Sequence, residues 1–598
     1  MRKRREIWKR LGIILRTLIM LGILLYCSAV INVEQENQGI HNLFAETENS
    51  GIEKQALRDF YITNIATGSS KRMTEEMIRW WRNEEDDKYY IFLPSSANMN
   101  SLRIQFEGVD AIYLDGKKIK NAEKVQITLG EHSVTTDVDE TSYHVVFMQS
   151  NNLPRAFIHT ESGTMDYVNE TKGNKESGTI LIIDENGDVK YSGPLEYIAG
   201  RGNATWDADK KGYKIKFPKK QNLFNMGEEK SWVLLANDGD NSMIRNTATF
   251  SIAEASKVAF TPQSQYIDLY LNATYWGTYQ ICEKVEVSTE RVDIPDLNDA
   301  NKAANPGVDL SECEQFGTEN VQGTVTIPGT QQGYVLPVEP TDITGGYLLE
   351  LEMGGRYVHE SAGFVSDRNQ AVVIKAPKYA SVAETTYISN LYQDLEDALY
   401  EFDGVNPNTG KAYYEYIDVN SFAKKYLVEE ITKNIDAMIT SQYLYKYPDT
   451  VSDKLYAGPV WDYDNAIGNA HIASDEVEMN EDGEIDYGSD TASPQGLYAM
   501  RNKGEASIWY ALYYRPEFQE AFKRNYNETF RANTLQVAEE QIAQAANLIE
   551  DSSLMNSMRW KDGTIEEKED IRAFYRTEVE EVKNFLIERI DYLDKEWD

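Results

Sequence analysis

The sequence predicts an α+β protein in which a small all-β sandwich precedes a larger mixed domain. Three observations carry this. Between Tyr89 and Thr160, short runs rich in Val, Ile, Phe and Tyr recur at roughly ten-residue spacing around turns such as Asp115-Gly116, the pattern of a sandwich. From Thr179 the elements lengthen, and strands and helices intermix. From Arg515 to Asp598 the three-and-four spacing of amphipathic helices takes over.

The chain divides in order. Residues 1–33 open with six basic groups and one acid in MRKRREIWKRL, followed by an apolar run from Thr17 to Val33, as in a secretory signal or signal anchor. Cys27-Ser28-Ala29 offers small residues for cleavage after Ala29; Arg16 and the length of the run leave an uncleaved anchor open. The expected location is extracellular or membrane-anchored, with the bulk of the chain outside. Residues 34–75 form a polar linker with a short helix, 76–172 the sandwich (YYIFLP, LRIQFEG, AIYLDG, KVQITL, YHVVFMQ and AFIHT), and 173–598 the mixed domain.

Within that domain, Asn186-Gly187 between Leu181–Ile183 and Val189–Tyr191 is a hairpin turn. A glycine turn at 200–203, the strand KIKF, a helix from about Asn241 to Ser256, and strands at Tyr266–Asn272 and Gly277–Val285 complete a small lobe over 173–292. Residues 293–344 are expected to be an irregular insertion. A large helical lobe over 345–598 starts with a helix near Ala383–Phe402 and one through Val419, Phe422, Tyr426, Leu427 and Ile431. Three helices are expected after Arg515, the last with Phe574, Val579, Val582, Phe585, Leu586, Ile590 and Leu593 on a core-facing stripe.

At 598 residues with 41% hydrophobic content, the chain has material for two or three domains. A net charge of −37 argues against a nucleic-acid partner, because the phosphate backbone would be repelled. Six histidines, of which only His471 lies near the central motif, make a zinc cluster or a Ser-His-Asp triad hard to assemble. Cys27, Cys282 and Cys313 have no metal-ligand spacing; Cys282 and Cys313 are left open between a disulfide and free thiols.

The chemistry concentrates in 433–468, KNIDAMITSQYLYKYPDTVSDKLYAGPVWDYDNAIG. Asp436 leaves the end of a helix, and two short runs flank the turn formers Pro448, Asp449, Ser452 and Asp453. If Tyr447 faces Lys454, the antiparallel register sets Ser441 opposite Val460 and folds Asp462 back toward Asp436, with Asp464 one pleat further on. Convergent carboxylates repel one another unless a cation or proton compensates. A loop aspartate after a helix, a hairpin, then an aspartate before a small-residue turn is the order found in protein kinases. The plainer alternative is a solvated hairpin with turn aspartates. The later run NEDGEID at 480–486 lacks the spacing of a calcium loop and is expected to be a solvated acidic loop.

This segment, with GRGNATWDADKKGYKIKF at 200–217, SWVLLANDGDNSMIRN at 231–246 and YLNATYWGTYQICEKVEV at 270–287, resembles the spore-coat-protein-H (CotH) family of atypical protein kinases, from about Thr179 to the C-terminus. The resemblance implies a two-lobed kinase-like fold and metal-dependent phosphoryl transfer from ATP, with Mg2+ or Mn2+, to Ser or Thr hydroxyls of a protein. It implies Asp436 as catalytic residue and Asp462 as principal metal ligand, with Asp464 a second contributor. Kinases place Asn five residues after the catalytic Asp, whereas Ser441 stands there and Gln442 follows, so these two are the candidates for the remaining metal contact. Gly200, Arg201, Gly202 and Asn203 are candidates for the phosphates, Lys216 in preference to Lys214 for the small-lobe lysine, and Glu283 for the hinge at the adenine. One rival is a non-catalytic pseudokinase scaffold binding cell-wall or surface partners, favoured by Ser441 and by the scarcity of ATP outside the cell. Carboxylate-based glycoside hydrolysis ranks behind both.

Overall fold

The computed structural model describes residues 57–63, 76–138, 141–317, 326–469, 491–500 and 507–597. The expected signal or anchor, residues 34–56 of the linker, His471 and the NEDGEID loop lie outside the described residues. Among those described, no helix is long and apolar enough to cross a membrane.

The chain forms two units. The described part of the first comprises residues 57–60, 104–123 and 133–143 without 139–140. Its hairpin, Ala111–Leu114 with Lys117–Lys120, turns at Asp115-Gly116 with φ of 47° and 79°, the doubly positive turn that suits strand twist, and pairs buried Ile112 with buried Ile119. The second unit holds the remainder. Its strand Lys88–Leu93 runs parallel to residues 145–149. The sandwich segments are strands as expected, except that KVQITL is a strand only at Lys124–Val125 and that AFIHT has another role.

That strand, Arg155–Thr160, belongs to a closed seven-stranded barrel. It pairs antiparallel with Lys175–Ile183 and parallel with Ser264–Leu271, and the latter partner lies more than a hundred residues along the chain. Around the barrel follow Val189–Arg201, Gly212–Asn222, Glu228–Leu235 and Thr274–Glu283, closing through Ser264–Leu271. Pleating sends Ile198, Tyr213, Ile215, Trp232, Leu234 and Ile281 into the barrel core. The alternate residues Val233, Leu235 and Cys282 instead join the large core outside the barrel.

That core is built on a second seven-stranded sheet, ordered Gln315–Phe316, Gln331–Tyr334, Gly363–Val365, Ala371–Ala376, Tyr347–Glu352, Gln442–Lys446 and Leu455–Ala457. The segment expected to be an irregular insertion therefore supplies two strands, and also the helix Leu297–Ala304, capped by the Asp296 side chain. The helix Val382–Tyr400 starts at a Ser381–Glu384 capping box. In place of three C-terminal helices there are two long helical runs. Residues 516–560 are continuous through two π-helical turns, at Tyr526–Phe530 and Val537–Gln541, and Lys568–Trp597 follows. Its predicted stripe is buried except at Phe574, which is 52% exposed, and at Val579, which is half-buried.

Candidate active site

The site is assembled from the end of one helix outward. Helix Val419–Thr432 begins at Asp418, whose side chain accepts from the Ser421 amide, and stops at Lys433, whose left-handed backbone turns the chain into the loop of Asn434 and Asp436. Its last turns bury Lys425, Glu429 and Glu430. Buried charges of this kind cost several kcal/mol unless fully paired and hydrogen-bonded. Glu429 meets that condition, accepting from Lys425 Nζ at 2.5 Å, Tyr463 Oη at 2.5 Å and Asn434 Nδ2 at 3.1 Å. Asn434 Nδ2 also donates to the Asp462 carbonyl at 3.3 Å, while its Oδ1 accepts from the Asp436 amide at 3.2 Å. One amide side chain thus ties together the backbones of both candidate aspartates.

The hairpin register is the one the sequence predicts: Lys446 pairs with Leu455, Tyr445 with Tyr456 and Leu444 with Ala457. Beyond it, Ser441 Oγ donates to Asp462 Oδ2 at 3.0 Å. Met438, Ser441 and Asp462 have φ of 63°, 55° and 74°, a left-handed conformation that non-glycine residues hold only where the surroundings impose it, and functional sites concentrate such strain. Burial, then the charge of Asp462, raise the carboxyls of Asp436 and Asp464 to about 7. Gln442 goes elsewhere. It pairs across the sheet with Leu351, while Tyr443 on the next pleat pairs with Glu350, and its buried amide finds no hydrogen-bond partner at either end. Of the two residues after Asp436 proposed for metal, the structure brings Ser441 to Asp462 and does not bring Gln442.

Among the described residues, no group of three or more His, Cys, Asp or Glu side chains is arranged to ring a metal. Asp462 and Asp464 do line one pocket, together with Arg201, Gly212 and Asn246. Two carboxylates completed by nucleotide phosphates are a common arrangement for magnesium, so the donor set fits a metal shared with ATP. The pocket measures only about 30 Å3, so a nucleotide requires it to open. The Arg201 guanidinium lies over the Trp461 ring, 5.4 Å from its centroid, and both residues line this pocket.

The glycine turn has its own local reasons. A Cβ on Gly200 would sit 1.9 Å from the Trp206 ring, and Gly202 has φ of 109°. Asn203 accepts from Lys172 Nζ at 2.9 Å. Burial lowers the Lys172 ammonium, and so do the charges of Arg201 and Arg356. Glu283 is occupied at the end of its strand, accepting from Arg291 Nη1 at 2.6 Å and from the Gln263 amide at 2.9 Å.

Barrel register decides between the lysines. Arg201 pairs with Gly212, Ala199 with Lys214, and Tyr197 with Lys216. Gly212 and Arg201 line the pocket with Asp462, so Lys214 is one pleat away, about 7 Å, and Lys216 two pleats. Lys214 lies in a cross-strand row with Ala199, Val233 and Cys282, and burial followed by Lys175, Lys216 and Lys378 pushes its ammonium below the ordinary lysine range, against the pull of Glu286. Lys216 instead donates to Glu196 at 2.7 Å. Lys214, rather than the Lys216 preferred from sequence, is thus the nearer of the two to this pocket.

The motifs, spread along the chain, thus meet at one place, and the chain matches the family described as CotH kinase protein over residues 198–593. It belongs to the CotH kinase family. No curated protein matches the chain. The four segments quoted above lie within the CotH match, whereas the strands between 81 and 160 lie outside it. Membership carries a kinase-like function.

Sequence reasoning missed Arg356, Asn246 and Asn469 at the site, whereas it read Arg245 as a brace for the small-lobe lysine region or a phosphate. Arg356 Nη1 donates to Thr440 Oγ1 at 3.1 Å, stands 3.6 Å from Glu352, and its charge acts on Asp436. The ANDGDNSMIRN segment braces the aspartate loop from the other side. Asn246 Oδ1 accepts from the Tyr463 amide at 2.9 Å, Arg245 Nε donates to the Ile467 carbonyl at 3.3 Å, and Asn469 Nδ2 reaches the Gly239 carbonyl at 2.8 Å. Arg245 is itself held by buried Asp240. The signal in the sequence was the density of Asn and Asp in this segment, which side chains bonding to local backbone explain.

Proposed function

We propose that the protein transfers a phosphoryl group from ATP, with Mg2+ or Mn2+, to Ser or Thr hydroxyls of a protein, outside the cell or anchored to its surface. The observation that supports this best is the pocket where Asp462 and Asp464 face Arg201, one pleat from Lys214, with Asp436 tied to Asp462 through Asn434. When bound, the metal supplies positive charge beside the phosphates. Arg201 and Lys214 hold the phosphates from the barrel side, Asp462 and Asp464 fix the metal, and Asp436 orients the acceptor hydroxyl and takes its proton. A carboxyl raised by its surroundings is suited to that last step.

A second reading, a pseudokinase scaffold for cell-wall or surface partners, draws on one feature: Ser441 occupies the position of the usual Asn and spends its hydroxyl on Asp462. Calorimetric titration of the purified protein with ATP separates binding from its absence. Magnesium or manganese is expected to raise ATP affinity, since phosphates and carboxylates otherwise repel. Lys214→Ala is expected to weaken binding about tenfold or more, and Lys216→Ala by less than threefold, because one contact to a charged group contributes roughly 1.5–3 kcal/mol. Binding indifferent to metal, or equal effects of the two lysines, would count against this nucleotide site.

A further inference from the structure

Away from the aspartates, the end of helix Ile542–Trp560 borders a cavity of about 500 Å3 that phosphoryl transfer does not use. Its volume is within the roughly 300–1,000 Å3 of pockets that hold small organic ligands. The wall is aromatic. The Arg559 guanidinium lies 4.2 Å from the Trp560 ring centroid, 4.7 Å from that of Trp81 and 5.3 Å from that of Trp276. Trp560 Nε1 donates to the Trp276 carbonyl at 2.7 Å, and Asn83 Nδ2 ties the strand that carries Trp81 to the Gly563 carbonyl at 3.0 Å. The wall is therefore fixed before any ligand arrives.

Arg559 Nε is buried without a hydrogen-bond partner, although the exposed carboxylates Glu84, Glu85, Asp209 and Asp562 line the same cavity. Burial lowers this guanidinium to about 10. The cation is held by indole rings, and the acids beside it are left for something else. The combination narrows the occupant. An anionic ligand would face four carboxylates on a chain of net charge −37, and a purely cationic one would offer the Arg559 guanidinium no acceptor. A neutral polyol uses both sets, its hydroxyls donating to the carboxylates and accepting from the guanidinium in charge-assisted hydrogen bonds. The rigid indoles of Trp81 and Trp560 give a sugar ring a flat apolar surface.

We propose that this cavity binds a neutral saccharide, giving the protein a carbohydrate-recognition site separate from the candidate active site. The test is titration of the full-length protein, followed by tryptophan fluorescence and calorimetry, with hexasaccharides of β-1,4-glucose, β-1,4-N-acetylglucosamine and α-1,4-glucose. Hexalysine and hexaglutamate serve as charged competitors. At least one saccharide is expected to saturate with a Kd between about 1 μM and 1 mM. Trp81→Ala should weaken it at least tenfold. Glu84→Gln combined with Asp562→Asn, which changes only exposed side chains, should do the same without moving the thermal midpoint. No saturation by any of the three saccharides, unchanged binding in the carboxylate variant, or displacement by either charged peptide overturns the proposal.

Discussion

Asp462→Asn is expected to abolish metal-dependent ATP binding, and transfer with it, whereas Asp436→Asn leaves binding nearly intact and lowers transfer by roughly 10² to 10⁴-fold. The proposed function gives the two carboxylates separate tasks. Asp462 shares a pocket with Asp464 and Arg201 and is held by the Ser441 hydroxyl, so a bound metal would act through it. Asp436 is tied into the same loop by its backbone alone, which leaves its carboxylate available to an acceptor hydroxyl. The expected fall for Asp436→Asn corresponds to about 3–5 kcal/mol of barrier. Thermal unfolding is the control, because removing one of several mutually repelling carboxylates should stabilise the metal-free protein. A wild type that binds ATP yet phosphorylates neither itself nor any offered protein, indistinguishable from Asp436→Asn, would leave the scaffold reading in place.

The local geometry of this site was legible in the sequence, and its long-range partners were not. Counting residues through the turn at Pro448–Asp453 gave the hairpin register, because an antiparallel pair is fixed once its turn is known. The same counting failed at Gln442. Distance along the chain from Asp436 named it a ligand, but pleating sets it beside Leu351. Lys214 and Lys216 read alike from strand alternation, since both face one side of Gly212–Asn222. Only the pairing of that strand with Val189–Arg201 shows which lies nearer Arg201. The strand Arg155–Thr160 read as the end of a sandwich because its parallel partner, Ser264–Leu271, carries no local signal of the pairing. Arg356, on a short helix in the second sheet's connections, had no motif to mark it.

The largest expected effect on stability comes from a residue far outside the motifs. Arg589→Met should destabilise the protein by about 3–5 kcal/mol, the usual cost of removing one partner of a buried ion pair. Arg589 and Glu430 are both fully buried, with Nη2 2.6 Å from Oε1. The same guanidinium donates to the Glu430 carbonyl and, through Nη1, to the carbonyls of Pro494 and Gly496. Glu430 in turn accepts from the amides of Tyr498 and Ala499 and from Tyr426 Oη. The pair therefore fixes the segment 494–499 to the helix that delivers Asp436, and Tyr498 Oη completes the link by donating to the Ile435 carbonyl at 3.2 Å. A double variant, Arg589→Met with Glu430→Leu, tests whether charge or the backbone bonds matter more. Apolar replacements of a buried pair are often neutral, so if charge alone mattered the double variant would recover wild-type stability. It is expected to fall short, because the amides of Tyr498 and Ala499 lose their acceptors in the interior, each at about 1–3 kcal/mol. Urea denaturation of the three proteins decides the matter: a loss under about 1 kcal/mol for Arg589→Met would show that the pair does not hold this segment in place.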